Sequence, residues 1–437
     1  MTEITLQRPE GRIHIEPVGG GHRVWLEPFD QGKWIEFTHH ETTYPVGLIQ
    51  AICQVKPFGN ICDEMRRDEV ASYVGHSLRF AIFPYFEEAD FRGKRILDFG
   101  CGMGASSMWL SRMFPESEIV GVELEPHLLE IARMRRDFYR ADKVTLLQSP
   151  SGDSLPPDLG TFDFIVLSAL FEHLLPHERP ALLPKIWETL SPGGVLFLCE
   201  TPYRYHFKES HTTKLYGLNY LPDRLALWAT RRFCKRYGYA PDVSWEFLLR
   251  EGIRGGTVRE ILGILEATGL PPELLTPRFL GTKDFIDVWL ESTSKTLSKR
   301  LMARSFKILK TFTGITYSPG LTLAIRKKPG PGLDPRGGWP DHSGENRLLP
   351  SRNRRPGSGR PICSGTEKQQ RTIPPKPEGE FWQAADGASG DPRRPHPRAA
   401  TPDGAVAGAR ANARPRRRRR GKGCRRILFI ILRETIG

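Results

Sequence analysis

Between Arg95 and Glu200, short apolar runs return at regular intervals: RILDF (Arg95–Phe99), EIVGVE (Glu118–Glu123), VTLLQ (Val144–Gln148), FDFIVLS (Phe162–Ser168) and GVLFLCE (Gly194–Glu200). Runs of this length, rich in Ile, Val, Leu and Phe, fit strands buried on both faces. Three of the intervals carry apolar residues at helical spacing. Ser106–Phe114 brings Met108, Leu110 and Met113 near one face. Pro126–Phe138 opens on a proline, whose missing N–H costs nothing in a first turn, and repeats apolar residues at Leu128, Ile131 and Ala132. Arg179–Leu190 runs into Ser-Pro-Gly-Gly, a helix stop followed by a tight turn. Strands alternating with helices in this way predict an α/β fold: a doubly wound, mostly parallel sheet that binds ligands at the carboxyl ends of its strands.

The flanking segments follow other patterns. Arg12–Glu16, Arg23–Glu27 and Lys33–Phe37 alternate apolar and polar residues between glycine-bearing turns, predicting a small β-meander. Helical stretches around Val46–Cys53 and Glu64–Phe83 follow. His39-His40-Glu41 lies in a polar turn, where adjacent histidines are expected to face solvent. Beyond Glu200 roughly 120 residues precede the last strand-like run, Leu321–Arg326, far more than a crossover needs. Tyr203, Tyr205, His206, His211 and Tyr216 crowd the start of this insertion. They predict a helical cap over the substrate, or the aromatic core of an accessory helical domain. Thr257–Thr268 would return the chain to the sheet, and Lys283–Phe312 reads as a helical pair.

Charge changes the picture at Lys328. The 437 residues include 64 Lys and Arg against 50 Asp and Glu, a net of +14 that points to polyanions. Residues 329–437 hold 23 basic and 10 acidic residues, while residues 1–328 are nearly balanced at 41 and 40. The same tail contains 15 Pro and 16 Gly with sparse apolar residues, which predicts a disordered segment. Its densest part, Arg414–Arg426, offers phosphates or an anionic membrane only sequence-independent attraction. Its length, composition and abrupt onset favour an extension without a function of its own. The longest apolar run, Ile427–Leu432, is six residues, against the ~18–20 that span a bilayer. The opening MTEITLQRPEG lacks a charged-then-apolar leader. The seven cysteines (Cys53, Cys62, Cys101, Cys199, Cys234, Cys363 and Cys424) form no metal-ligand spacing. A cytoplasmic protein with free thiols is the expectation.

The first strand runs into Asp98-Phe-Gly100-Cys-Gly102-Met-Gly104-Ala105. Glycines let the backbone turn sharply and approach a ligand. Gly100, Gly102 and Ala105 also satisfy the fingerprint of dinucleotide enzymes, so spacing alone leaves NAD(P) open. Charge separates the ligands. A pyrophosphate at this loop would meet the Asp98 carboxylate, a like-charge contact. A ligand carrying sulfonium and ammonium cations would be favoured there. Glu123, ending the second strand, is placed to accept hydrogen bonds from ribose hydroxyls.

Residues 92–202 resemble the class I (Rossmann-like) S-adenosylmethionine-dependent methyltransferases. ILDFGCGMGASS (Ile96–Ser107) is similar to their first motif and GVELEPHLLEIAR (Gly121–Arg133) to their acidic second-strand motif. FDFIVLSALFEHL (Phe162–Leu174) and LSPGGVLFLCETP (Leu190–Pro202) resemble the fourth- and fifth-strand motifs. The resemblance covers about a quarter of the chain and implies a seven-stranded sheet closed by Leu321–Arg326. It implies S-adenosyl-L-methionine as cofactor, with Asp98, Gly100, Gly102 and Gly104 at its methionine end, Glu123 at the ribose, and Cys101, Leu124, Asp153 and Ser168 as further cofactor-binding residues. The family's acidic residue after the third strand has no counterpart in Gln148-Ser-Pro-Ser-Gly; Asp153 follows later. Ser168, which ends the fourth strand, is expected beside the cofactor.

Methyl transfer to a hydroxyl or amine needs a proton removed. His173, just past the fourth strand, is the candidate base, with a packing histidine as the alternative. Ser168-Ala-Leu-Phe lacks the Asn/Asp-Pro-Pro-aromatic arrangement that grips an exocyclic amine in base-directed members. With the balanced body, this argues against a nucleic-acid substrate. The expected architecture is an N-terminal β/helical extension (1–91), a methyltransferase core (92–202), a helical cap with the closing strand (203–328) and the tail (329–437). The expected activity is methylation of a small-molecule, sugar or lipid acceptor at oxygen. The alternatives are an NAD(P)-dependent oxidoreductase and a nucleic-acid-binding protein or RNA methyltransferase acting through the tail.

Overall fold

Four antiparallel strands begin the chain: β1 (Ile4–Arg8), β2 (Gly11–Val18), β3 (Gly21–Pro28) and β4 (His39–Thr42), paired in sequence order. The computed structural model describes residues 3–30, 35–234, 236–237, 243–293, 295–314 and 316–328. The tail, with Cys363, Arg414–Arg426, Cys424 and Ile427–Leu432, lies outside the described residues. The meander differs from expectation at both ends. Ile4–Arg8 forms a strand, and the fourth strand is the His-His-Glu segment; of the expected run Lys33–Phe37, Ile35–Phe37 lie in no strand and Lys33 and Trp34 lie outside the described residues. Alternation decides which histidine faces solvent: His39 is exposed, whereas His40 is buried and bonds Glu69 Oε2 at 2.9 Å.

Helices α1 (Val46–Val55), α2 (Ile61–Glu69) and α3 (Val74–Ile82) follow, the expected single stretch 64–83 being broken at 70–73. Then come β5 (Arg95–Phe99), α4 (Ala105–Met113), β6 (Glu118–Glu123), α5 (Pro126–Tyr139), β7 (Val144–Gln148), β8 (Phe162–Ser168), α6 (Arg179–Glu188) and β9 (Leu190–Pro202). The insertion holds α7 (Asp223–Phe233), α8 (Trp245–Arg250) and α9 (Val258–Glu266). After it come β10 (Pro272–Leu274), α10 (Phe285–Glu291), α11 (Leu297–Thr313) and β11 (Gly320–Lys327). The large sheet has seven strands in the order β10-β11-β9-β8-β5-β6-β7. β5 to β9 pair in parallel and β11 runs antiparallel to both neighbours. This is the Rossmann-like methyltransferase fold expected from the motifs. The three-residue β10 is too short to leave a periodic signal.

Ser191-Pro-Gly-Gly does not turn the chain back. Leu190 pairs with Phe162 and Val195 with Phe164, so the intervening residues form a bulge inside β9. An added Cβ at Gly194 would lie 2.8 Å from the Asp163 carbonyl oxygen, so only glycine fits there.

Each face of the sheet has its own core. On one, Phe91 stacks on Phe114 and Phe164 with ring centroids 3.9 and 4.1 Å apart. The other is filled by Leu97, Ile165, Trp187, Leu198 and Ile261. A third cluster joins Ile13, Val24, Leu48 and Ile52 of the extension to Met103 and Ile131, so the extension packs against the glycine loop and α5. A fourth, around Leu218, Ala226, Leu248 and Ile253, lies within the insertion. Among the described residues no helix is long and apolar enough to cross a membrane.

Candidate active site

The carboxyl edge of the sheet carries the candidate site. After β5 the backbone turns through Gly100, Gly102 and Gly104 at φ of +79°, +54° and +88°, all in the left-handed region. The three glycines answer different constraints. An added Cβ at Gly100 would come within 2.7 Å of Leu170 Cδ1, and at Gly104 within 3.0 Å of Ala132 Cβ. At Gly102 it would meet nothing within 4 Å, so this part of the loop borders open space. Cys101 is buried with its sulfur toward Gly121. The N–H groups of Gly100 and Cys101 both donate to the Val122 carbonyl, at 2.8 and 3.0 Å. Gly121, which sequence reasoning passed over, lets the start of α4 close on β6: a Cβ there would lie 2.9 Å from Ser107 Oγ.

Asp98 is buried beneath the loop. Its Oδ2 accepts from Ser106 Oγ at 2.7 Å and Ser107 Oγ at 2.6 Å, while Oδ1 has no hydrogen-bond partner among the described residues. Burial pushes its carboxyl up to about 6 against the two serine hydroxyls, which favour the ionised form, with Glu123 adding to the rise. Glu123 lies between two loops. Its Oε2 accepts from Gly102 N–H at 2.8 Å, and its Oε1 from Leu124 and Glu125 N–H at 2.8 and 3.1 Å. A carboxylate has about four lone-pair sites, so three are used and one remains on Oε2.

Leu124 is exposed beside the loop that follows β7. Ser149 N–H in that loop donates to the Glu123 carbonyl at 2.8 Å. Asp153 turns back on its own loop, accepting from Ser151 Oγ at 2.7 Å and Ser154 Oγ at 3.2 Å, and these hydroxyls hold its carboxyl below the usual range. Ser168 Oγ donates to Glu200 Oε2 at 3.3 Å across β8 and β9. The structure therefore brings Asp98, the glycines, Glu123, Leu124 and Ser168 to one edge, and leaves the Asp153 carboxylate engaged within its own turn.

His173 lies in a short helical turn, Phe171–His173, with Nδ1 2.5 Å from the Arg250 carbonyl oxygen. A carbonyl only accepts, so Nδ1 carries the proton and Nε2 the free lone pair. Burial holds the imidazole below its ordinary pKa. Nε2 lies 4.0 Å from Glu172 Oε1, and the His211 ring centroid is 5.4 Å from that of His173. Burial raises Glu172 to about 8 and lowers His211 to about 4. His211 and Glu200 line a cavity of about 320 Å³ with Ser77, Trp289 and Ser292.

Arg135 was also missed by sequence reasoning. It is wholly buried behind the loop, donating to Met103 O, Glu64 Oε1 and Glu64 O at 2.9 Å each and to Tyr44 OH at 3.1 Å. Its only signal was a charge on the apolar face of α5, in helical spacing with Leu128, Ile131 and Ala132. Glu172 was legible only as the neighbour of His173, and Glu200 only as the end of a strand.

Residues 96–194 match a family described as a methyltransferase domain. Carboxy-S-adenosyl-L-methionine synthase from Photobacterium profundum is 32% identical over 119 residues, 27% of this chain and 48% of the relative. The protein of the same name from Aliivibrio fischeri is 32% identical over 123 residues, 28% and 48% of the two chains. The chain thus spans about half the length of the curated relatives it matches. Among solved structures, an O-methyltransferase family protein from Burkholderia thailandensis is 14% identical with a TM-score of 0.32, covering 61% of this chain and 60% of that one.

Proposed function

Residues 96–194 form a class I S-adenosylmethionine-dependent methyltransferase domain, and on that premise we propose that the chain methylates an oxygen of a small-molecule, sugar or lipid acceptor. The observation that carries the reading is the open backbone at Gly102, held by the Glu123 carboxylate, with the Asp98 carboxyl buried beneath the same loop. Acidic groups at this loop suit a ligand with cationic groups and ribose hydroxyls, and oppose a pyrophosphate.

When bound, S-adenosylmethionine supplies a methyl group already activated on a cationic sulfonium. The chain's own residues bind and orient. Gly102 lets the backbone approach the methionine end. Glu123 accepts a ribose hydroxyl at its remaining Oε2 site. Leu124 and the 149–153 loop flank the adenine, and Ser168 with Glu200 marks the boundary with the acceptor side. Ser210 and His211 from the segment after β9, with Ser77, Trp289 and Ser292, wall the cavity that would take the acceptor. His173, expected from sequence to take the acceptor's proton, stands on this side with Glu172 and His211, and this trio is where the acceptor hydroxyl is activated. The near balance of 41 basic and 40 acidic residues over 1–328 supports an acceptor other than nucleic acid.

The test has two arms. Calorimetry should show S-adenosylmethionine binding and no NADH binding; micromolar affinity for NADH with none for S-adenosylmethionine would sink the reading. Incubation with methyl-labelled cofactor and a fractionated small-molecule extract should then label a hydroxylated compound. A modified S-adenosylmethionine as the sole product would instead point to chemistry like that named for the curated relatives.

A further inference from the structure

The turn after β8 and the segment after β9 bring Glu172, His173 and His211 together, with their ligating atoms all within 4.8 Å of one another. Hydrogen bonds hold His173 and Glu172 as they would hold ligands. His173 gives its Nδ1 proton to the Arg250 carbonyl, which leaves the Nε2 lone pair toward Glu172. Glu172 accepts from Thr201 Oγ1 at Oε2, 3.0 Å away, while Oε1 is buried and has no hydrogen-bond partner among the described residues. Gly252, at φ +82°, backs the cluster: an added Cβ there would come within 2.8 Å of His211 Cδ2 and 3.0 Å of Glu172 Cγ. A buried carboxylate oxygen without a donor is costly, and lone pairs converging on one point are satisfied together by a cation.

We propose that Glu172 Oε1, His173 Nε2 and a ring nitrogen of His211 bind one divalent transition-metal ion, with an open coordination position toward the cavity. Two imidazoles and one carboxylate suit Zn²⁺, Mn²⁺ or Fe²⁺; Mg²⁺ and Ca²⁺ favour oxygen ligands throughout. Metal–ligand bonds of about 2.1 Å place ligand atoms about 3–3.5 Å apart, so side-chain rotations closing the present gaps by roughly 1 Å complete the site. The Arg250 carbonyl and Thr201 hydroxyl already form the outer layer that fixes a ligating histidine and carboxylate. His211 also lines the acceptor cavity, so the open position faces the place where an acceptor oxygen would lie.

The ion's part in the reaction rests on the methyl-transfer reading. A hydroxyl on the ion has a lowered pKa and gives its proton to water. Its oxygen pair then forms the O–CH₃ bond as the S–CH₃ bond breaks, with that pair leaving on sulfur. His173 is in this account a ligand rather than the base.

The full chain, stripped with a chelator, is titrated with Co²⁺ and with Mn²⁺ alone, without cofactor. One ion per chain is expected, with affinity weakened tenfold or more in both Glu172→Gln and His211→Ala. Equal affinity in wild type and both variants, or no binding up to millimolar metal, overturns the site. Should a variant melt early, pulsed electron paramagnetic resonance of Mn²⁺ on the wild type decides: two directly coordinated imidazole nitrogens support the proposal, and none overturns it. Calorimetry with S-adenosylmethionine on the same samples separates this outcome from failure of the methyltransferase reading, which leaves the metal titration unaltered.

Discussion

Glu123 Oε2 accepts the Gly102 N–H at 2.8 Å, so the acidic end of β6 and the open part of the glycine loop are held as one unit. The same carboxylate caps Leu124 and Glu125 N–H through its other oxygen. Hydrogen bonds to a charged group are worth about 1.5–3 kcal/mol each. Glu123→Ala leaves three N–H groups without this acceptor and removes the proposed ribose contact. Cofactor affinity is expected to fall at least tenfold in calorimetry, with a lowered melting temperature. Unchanged affinity would mean that Glu123 serves the loops alone.

Arg135 tests the coupling between extension and loop. Its guanidinium joins Glu64 and Asp68 of α2 to the Met103 carbonyl in the loop, and all three side chains are buried. Breaking a buried charge network by removing one partner costs about 3–5 kcal/mol. Arg135→Met should show a loss of that size in urea unfolding and weaker cofactor binding. A loss below about 1 kcal/mol would contradict the role given to this network.

Asp98 predicts a pH dependence with a definite sign. Its folded pKa of about 6 lies above the ordinary 3.8, so the folded state favours the protonated form. The stability it contributes is fully present below pH 3.8 and is lost as pH rises to about 6, about 3 kcal/mol across that window. Asp98→Asn should flatten this part of the stability profile. A cationic ligand beside Asp98 favours the ionised form, so S-adenosylmethionine affinity should rise between pH 5 and 7 in the wild type and not in Asp98→Asn. Parallel profiles for the two proteins would remove Asp98 from the ligand's surroundings.

Gly102 and Gly104 separate binding from folding. Gly104→Ala meets Ala132 at 3.0 Å in a left-handed conformation, so it should destabilise the fold by about 1–3 kcal/mol. Gly102→Ala has free space and should cost only about 1 kcal/mol, while its methyl enters the cofactor's path and weakens binding at least tenfold. Melting curves and calorimetry on both variants check the contrast.

Much of this was legible in sequence. The five parallel strands read directly because buried strands are continuous apolar runs, and the glycine loop and Glu123 followed from their position at strand ends. Local pattern also separated the charged tail from a balanced body. Elsewhere tertiary context overrode it. Ser-Pro-Gly-Gly looked like a turn because its residues favour turns, yet pairing with β8 drew it into a bulge. His40 looked solvated because its neighbours are polar, yet β3 and Glu69 buried it.

The sequence by itself determined the fold class, the glycine loop and the placement of its acidic partner, because each is encoded in the local pattern of successive strand-loop-helix units. Only the tertiary structure decided that Arg135 ties α2 to that loop, and that His211 meets Glu172 and His173 from 38 residues away. The physical reason is the same in both cases. Periodicity reports which face of an element is buried, whereas contacts between distant segments depend on how the chain crosses the sheet and returns, which no local pattern carries.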